Sequence, residues 1–360
     1  MPTVAPRVSW GWSVGGDGGS GAGLYVTESC TLTISDTEIS DNATGRGGLG
    51  YDGHGGRGGD GGGLYCSAAA IEDCAISRNS TGNGGNAEYG GGADGGNGGG
   101  IYCSLGQINI IHSTIAENIT GTGGRSNCYG SNGGDGAGIY CTSSCVPTIV
   151  DCTISDNVTG DGSGAYGFYH SASSGHAGKG GGVFCYSGSI VGSIIVGNKT
   201  GNGGDGDDWG YGTDGGNGGS GAGIYCSSTT IVNCLVVNNT TGRGGHGGED
   251  TTDRSSGGNG GNGGGIYGPS ATVINCTIVG NTSSAGGTGG SGGSDGVPGA
   301  GAGIYGGAIA SLANSIVRGN SPDQLVGHDS AHASYCNIEN PSYSLLVGIS
   351  GVVGPETRYR

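Results

Sequence analysis

The chain has 360 residues, of which 94 are glycine and 32% are hydrophobic, too little apolar mass for one or two ordinary compact cores. With 28 acidic residues against 12 basic ones the net charge is −16, so the surface repels nucleic acid and anionic membranes and favours cations or basic partners. Disorder is disfavoured in turn, because isoleucine, tyrosine and cysteine return in fixed short blocks that a disordered tract has no reason to keep.

The first residues, Met1-Pro2-Thr3-Val4-Ala5-Pro6-Arg7, lack the apolar stretch of a signal peptide. No run of about eighteen apolar residues follows, so membrane insertion is not expected. The 13 cysteines fall in a repeat frame rather than in CxxC pairs, which speaks against zinc and for an oxidising compartment. The expectation is an extracellular or cell-surface protein, either trimmed after export or an excerpt of a longer chain. Residues 1–20 read as an N-terminal extension, 21–325 as repeats with glycine-rich arms, and 326–360 as a C-terminal coil and tail.

Each repeat opens on a glycine followed by an aliphatic and an aromatic residue, at Leu24-Tyr25, Leu64-Tyr65, Ile101-Tyr102, Ile139-Tyr140, Val183-Phe184, Ile224-Tyr225, Ile266-Tyr267 and Ile304-Tyr305. A second landmark is an asparagine three residues after an aliphatic: Asn42, Asn79, Asn118, Asn157, Asn198, Asn239, Asn281 and Asn320. Five residues before each asparagine stands a small residue such as Cys74 or Ser113, and eight before it an aliphatic such as Ile71 or Ile110. A period of about forty residues marks a stacked array in which no unit buries its apolar face alone.

In the second repeat Leu64 and Cys66 share the two-residue period of a strand, with Tyr65 facing the other way. Cys74 and Ile76 form a second inward pair. Ile71 is out of step with Cys74, which predicts a corner near Asp73. No segment offers the apolar 3.6-residue period of a helix. The predicted fold is all-β: a right-handed parallel β-helix of about eight coils, roughly 40 Å long at strand spacing. Its asparagines then stack as a ladder, at a turn where asparagine tolerates left-handed geometry. Seven of them also read as glycosylation sequons, Asn118-Ile119-Thr120 among them; a buried ladder favours the structural role over modification.

Between each asparagine and the next Gly-Ile-Tyr lies an arm that enters as Thr-Gly-x-Gly, from Thr44 to Thr241, and returns as Gly-Gly-x-Gly, as at Asp94–Gly100 and Asp214–Gly219. Glycine at two of every three positions matches a polyproline II turn, which has no internal hydrogen bonds and leaves its backbone free to bond neighbouring chains. The arms are therefore expected to stack into an ordered layer; flexible linkers are the competing reading, though linkers need no phase.

Gly-Gly-Gly-Ile101-Tyr102-Cys103, paired with Ile-x-x-Asn, and the closing Asn314–Gln324 and Ser334–Glu339 stretches resemble right-handed parallel β-helix repeat proteins secreted by bacteria. The first pair is similar to the GGAI and FxxN repeats of polymorphic outer membrane protein adhesins. The likeness spans roughly residues 20–340 and implies a fold rather than an activity, since that superfamily holds adhesins, structural proteins and polysaccharide-cleaving enzymes alike. The arms resemble the polyglycine-helix layers of some phage adhesins and antifreeze proteins, but with unequal lengths.

Variable side chains gather at the arm tips: Tyr51 and His54, Tyr89, Cys128 and Tyr129, Tyr166, Phe168, Tyr169 and His170, Trp209 and Tyr211, then Asp250, Asp253 and Arg254. Such aromatics either contact sugars or a partner subunit, or merely close the bend. Asp205, Asp207 and Asp208 resemble a single calcium-binding nonapeptide of the repeat-in-toxin type, a site that needs tandem copies; calcium is the one cofactor the sequence suggests. No column of paired carboxylates suits polysaccharide cleavage, and Asp207-Asp208 lies in an arm, so no enzyme is expected.

Cys66, Cys103, Cys141, Cys185 and Cys226 share one column, and Cys74, Cys152, Cys234 and Cys276 another; Cys30, Cys128, Cys145 and Cys336 fall outside both. Whether vertical neighbours pair or simply fill the core stays open. The function expected is an extracellular structural or adhesive protein that self-associates end to end or laterally, with a glycan or cell-surface partner. The alternative is a carbohydrate-binding or polysaccharide-cleaving β-helix, and ice binding is a weaker third.

Overall fold

The computed structural model describes residues 13–27, 30–51, 53–165, 172–208, 212–249, 254–306, 311–326 and 333–339. They form 27 short strands and no helix. Every third strand is a neighbour, which gives three nine-stranded parallel sheets. This is a parallel β-helix, and its crossovers follow the right-handed sense general to parallel strands. In the second coil the strands are Leu64–Cys66, Ala68–Glu72 and Ala75–Ser77.

Coils stack without slip: Leu64 pairs with Ile101, Ile71 with Ile110, and Ile76 with Ile115. The register holds because a one-residue shift would turn each inward column to solvent. These residues are fully or almost fully buried and form one continuous apolar column with the cysteines. The ninth rung, Leu325–Val326, Ala333–Ser334 and Asn337–Ile338, supplies the C-terminal coil. Leu325–Val326 crosses the boundary drawn at 325 and pairs with Ile304–Tyr305.

Each coil turns its two corners through left-handed residues. One row is Asp36, Asp73, His112, Asp151, Gly192, Asn233, Asn275, Asn314 and Tyr335; the other is Asp41, Arg78, Glu117, Asp156, Gly197, Asn238, Gly280 and Gly319. The corner at Asp73 lies where the phase change predicts it, with φ +50°. The ladder asparagines differ from expectation: the left-handed residue is the one before each of them. It swings the chain so that the asparagine side chain enters the corner.

The ladder itself is continuous. Asn118 donates both its backbone N–H (3.0 Å) and its Nδ2 (2.9 Å) to Asn157 Oδ1. Asn157 Nδ2 donates to Ile115 O of the preceding coil and to Asn198 Oδ1 of the next. At the C-terminal end Gln324 Oε1 replaces the next asparagine and accepts from Asn320 N and Nδ2. Glu339 likewise accepts from Gly319 N.

The cysteine columns are core packing with two departures. Cys103 is bonded to Cys145 of the next coil, with Cα atoms 6.3 Å apart. Cys336 is buried and donates to Leu312 O and Ser334 O as Cys276 does to Ile231 O and Ile274 O, so it extends the second column. Burial pushes the Cys66 thiol up to about 12 and Cys185 to about 11, which keeps them protonated and unreactive.

Candidate functional site

The glycine arms form a second layer. Outgoing segments bond coil to coil at every third residue: Gly47 N–H to Asn83 O, Gly84 to Thr122, Gly123 to Asp161, Gly162 to Asn202. Returning segments do the same, from Gly58 to Asp94 O, Gly95 to Asn132 and Gly133 to His176. The other glycine N–H bonds across the layer, as from Gly59 to Gly45 O and from Gly85 to Gly56 O. Glycine is required where segments touch: a Cβ on Gly85 would overlap the carbonyl oxygen of Gly48. At the base, Gly98 turns the arm into its strand with φ +65°.

The arm bases are clamped by a threonine column. Thr120 Oγ1 donates to Gly134 O (2.6 Å), closing its own arm, and accepts Gly160 N–H (2.8 Å) from the next. Thr44, Thr81, Thr159 and Thr200 make the same two bonds.

The third residue of each triplet points out, and where the side chain one coil earlier is a short acceptor it caps that residue's N–H. On the returning face Asn132 N–H meets Asp94 Oδ1, His176 N–H meets Asn132 Oδ1, Asn217 N–H meets His176 Nδ1, and Asn259 N–H meets Asn217 Oδ1, all at 2.8–2.9 Å. The adjacent row runs from Asp60 through Asn97 and Asp135 to Lys179 in the same way. On the outgoing face Asn83 caps Thr122, Asp161 caps Asn202, and Asn202 caps Arg243. Short acceptors (Asp, Asn, His, Ser) at this phase thus serve the next coil without being obligatory, since Arg57, Thr122, Lys179 and Arg243 hold the same phase; the recurrence of the short acceptors was the sequence signal that could have revealed the capping.

Capping also accounts for two of the three suggested calcium ligands, Asp205 and Asp208, while Asp207 Oδ2 is buried without a hydrogen-bond partner among the described residues. Asp205 Oδ1 accepts from His246 N–H, and its other oxygen lies 3.3 Å from Arg243. Asp208 Oδ1 accepts from Glu249 N–H, while Asp207 N–H donates to Thr213. Among the described residues, three potential ligand atoms converge only at exposed Glu72, Asp73 and His112, so Asp205, Asp207 and Asp208 do not come together around one point.

Of the tips, Tyr51 and Tyr89 pack edge to face at 5.6 Å and, with Tyr129, are about half exposed. The bend at Tyr129 is closed by Ser126, whose hydroxyl accepts from Cys128 and Tyr129 N–H and donates to Tyr129 O. Tyr129 itself is therefore free of that task. Tyr166, Phe168, Tyr169, His170, Trp209, Tyr211, Asp250 and Asp253 lie outside the described residues.

Beside the returning face runs an aromatic ladder from Tyr25 to Tyr305, with ring centroids 4.6–5.2 Å apart and planes within 18° of parallel. Stacking hides the ring faces between coils and turns their edges outward, so interior rings cannot stack on a ligand. Lys179 Nζ lies 5.4 Å from the Tyr225 ring centre. A trough of about 400 Å³ follows this face, from Arg57 and Asp94 past Tyr140 and His176 to Asn262. Burial lifts the Asp135 carboxyl to about 6 against the opposing Lys179 N–H and charge. Burial, then the Lys179 charge, lowers His176. On the opposite face Gly164 leaves a notch of about 440 Å³ between Arg125, Asp161, Asp205 and Arg243.

No family model, no curated protein and no solved structure matches this chain.

Proposed function

We propose that this chain is an extracellular structural or adhesive protein in which the β-helix is the scaffold and the arm layer is the working surface. The observation that carries the reading is the coil-to-coil capping of the arms, which holds exposed side chains in straight rows at strand spacing. A rigid surface that repeats in one direction suits a partner that also repeats, either a polymer or another copy. The cysteine-rich repeat and its likeness to secreted β-helix adhesins support an extracellular setting. The non-catalytic part of the reading rests on the sequence, in which no column of paired carboxylates suits polysaccharide cleavage.

Self-association is proposed to run end to end or laterally. Gln324 and Glu339 close the ladder of the eighth coil, while among the described residues the sheets end on Leu325–Val326, Ala333–Ser334 and Asn337–Ile338, strands whose outer edges could take a further coil. The test is sedimentation and negative-stain imaging of the full chain over a range of concentrations, with retention on intact microbial cells measured in parallel. Filaments, side-by-side bundles or saturable retention are expected. Monomers at every concentration together with no retention would overturn the reading, and depolymerisation of any polysaccharide would overturn its non-catalytic part.

A further inference from the structure

The ladder on the returning face has a consequence for what the trough can bind. Four backbone N–H groups there take an acceptor atom from the coil before: His176 Nδ1 receives Asn217 N–H, Asn217 Oδ1 receives Asn259 N–H, Asn259 Oδ1 receives Val297 N–H, and Asn262 Oδ1 receives Ala300 N–H. What remains outward is the opposite chemistry. Since His176 Nδ1 is an acceptor, its ring proton sits on Nε2, and each asparagine presents its Nδ2 hydrogens. Among the described residues none of these outward nitrogens donates to another protein group. The row from His176 to Asn262 is therefore lined by hydrogen-bond donors repeating once per coil. The carboxylates Asp60, Asp94 and Asp135 lie in the coils before it.

We propose that this trough, from His176 and Lys179 through Asn217 and Ser220 to Asn259 and Asn262, binds an uncharged linear polysaccharide lying along the rod. The proposal deepens the adhesive reading and rests on it for its biological setting. A chain of sugar hydroxyls and ring oxygens offers acceptors at a repeat comparable to one coil, which a row of fixed donors can follow. A polyanion is disfavoured: the net charge is −16, and the single lysine of the row is held over Tyr225 beside Asp135. A folded protein partner is disfavoured because the stretch from His176 to Asn262 is lined by polar side chains and glycine backbone, Ala177 being its one apolar side chain and Tyr140 lying at the acidic end. Recognition here is by hydrogen bonds, the aromatic faces being closed by their own stacking.

The decisive variant is the double substitution Asn217→Asp, Asn259→Asp. Aspartate keeps the Oδ1 that caps the next coil, as Asp94 and Asp135 do natively, while turning the outward donor into an acceptor. Wild type and variant are titrated with cello-, xylo-, manno- and malto-oligosaccharides of increasing length, and with hyaluronan fragments as the charged arm. Binding is followed by calorimetry and by the side-chain amide resonances of Asn217, Asn259 and Asn262. The expected result is that at least one neutral series binds, more tightly as the chain lengthens, and that the variant loses at least tenfold with unchanged melting. The proposal falls if no neutral series binds, if only hyaluronan binds, or if the folded variant binds as wild type does. Equal retention of both proteins on cells would sink the trough and leave the adhesive reading standing; oligosaccharide binding without retention or bundling would do the reverse.

Discussion

Replacing Asn157 by alanine tests whether the ladder holds the coils together. Its Oδ1 is the acceptor for both the backbone N–H and the Nδ2 of Asn118, and its Nδ2 serves Ile115 O and Asn198 Oδ1. The substitution leaves Asn118 N–H buried without its acceptor, at about 1–3 kcal/mol, and removes three further bonds of about 1 kcal/mol each. Their sum, reduced by local relaxation, is about 3–5 kcal/mol. Asn42→Ala at the first coil loses only donations from a half-buried amide, to Ser40 O and Asn79 Oδ1, for about 1 kcal/mol. Urea denaturation with hydrogen exchange resolved by coil measures both, because a stacked array does not unfold as one unit. Loss of protection should centre on Asn118 and Asn198. Asn157→Asp sharpens the test, since it keeps Oδ1 but aims a second acceptor at Ile115 O and Asn198 Oδ1. Its carboxyl should titrate above the unfolded value of about 3.9, so the variant should weaken as pH rises from about 4 to 7. If Asn157→Ala and Asn42→Ala destabilise equally, the ladder is ornament and the reasoning fails.

Three other outcomes follow from the arms. Gly85→Ala forces a Cβ onto Gly48 O and should destabilise by about 1–3 kcal/mol, opening neighbouring arms to limited proteolysis; Gly19→Ala, where a Cβ meets open space, should change stability by no more than about 1 kcal/mol. Thr120→Val keeps the shape but leaves Gly134 O and Gly160 N–H unclamped, so exchange of the Gly160 amide should quicken by at least tenfold, equivalent to about 1.4 kcal/mol of local opening. Asp135, whose folded carboxyl lies at about 6 between Lys179 and Asp94, contributes stability below its unfolded value that is lost as pH climbs toward about 6. Asp135→Asn keeps the cap on Lys179 N–H and should therefore gain on wild type between about pH 4 and 7; carboxyl titration by NMR with a midpoint near 4 would contradict this.

Much of the architecture was readable from residue spacing. Ile71, Ile76 and Asn79 recur at fixed offsets because each must lie over its counterpart in the next coil, and the glycine triplets keep phase because two of three positions meet another backbone. Those are demands of period and size, which a linear pattern records directly. The direction of hydrogen bonds between coils was not recorded there. Only the stacked chain decides that the residue before each asparagine takes the left-handed turn, that Gln324 ends the ladder, and that Cys145 reaches Cys103. The same holds for the outward faces. That His176 and Asn217 present donors follows from which of their atoms the neighbouring coil has already engaged, a fact of contact between segments about forty residues apart that no local pattern contains.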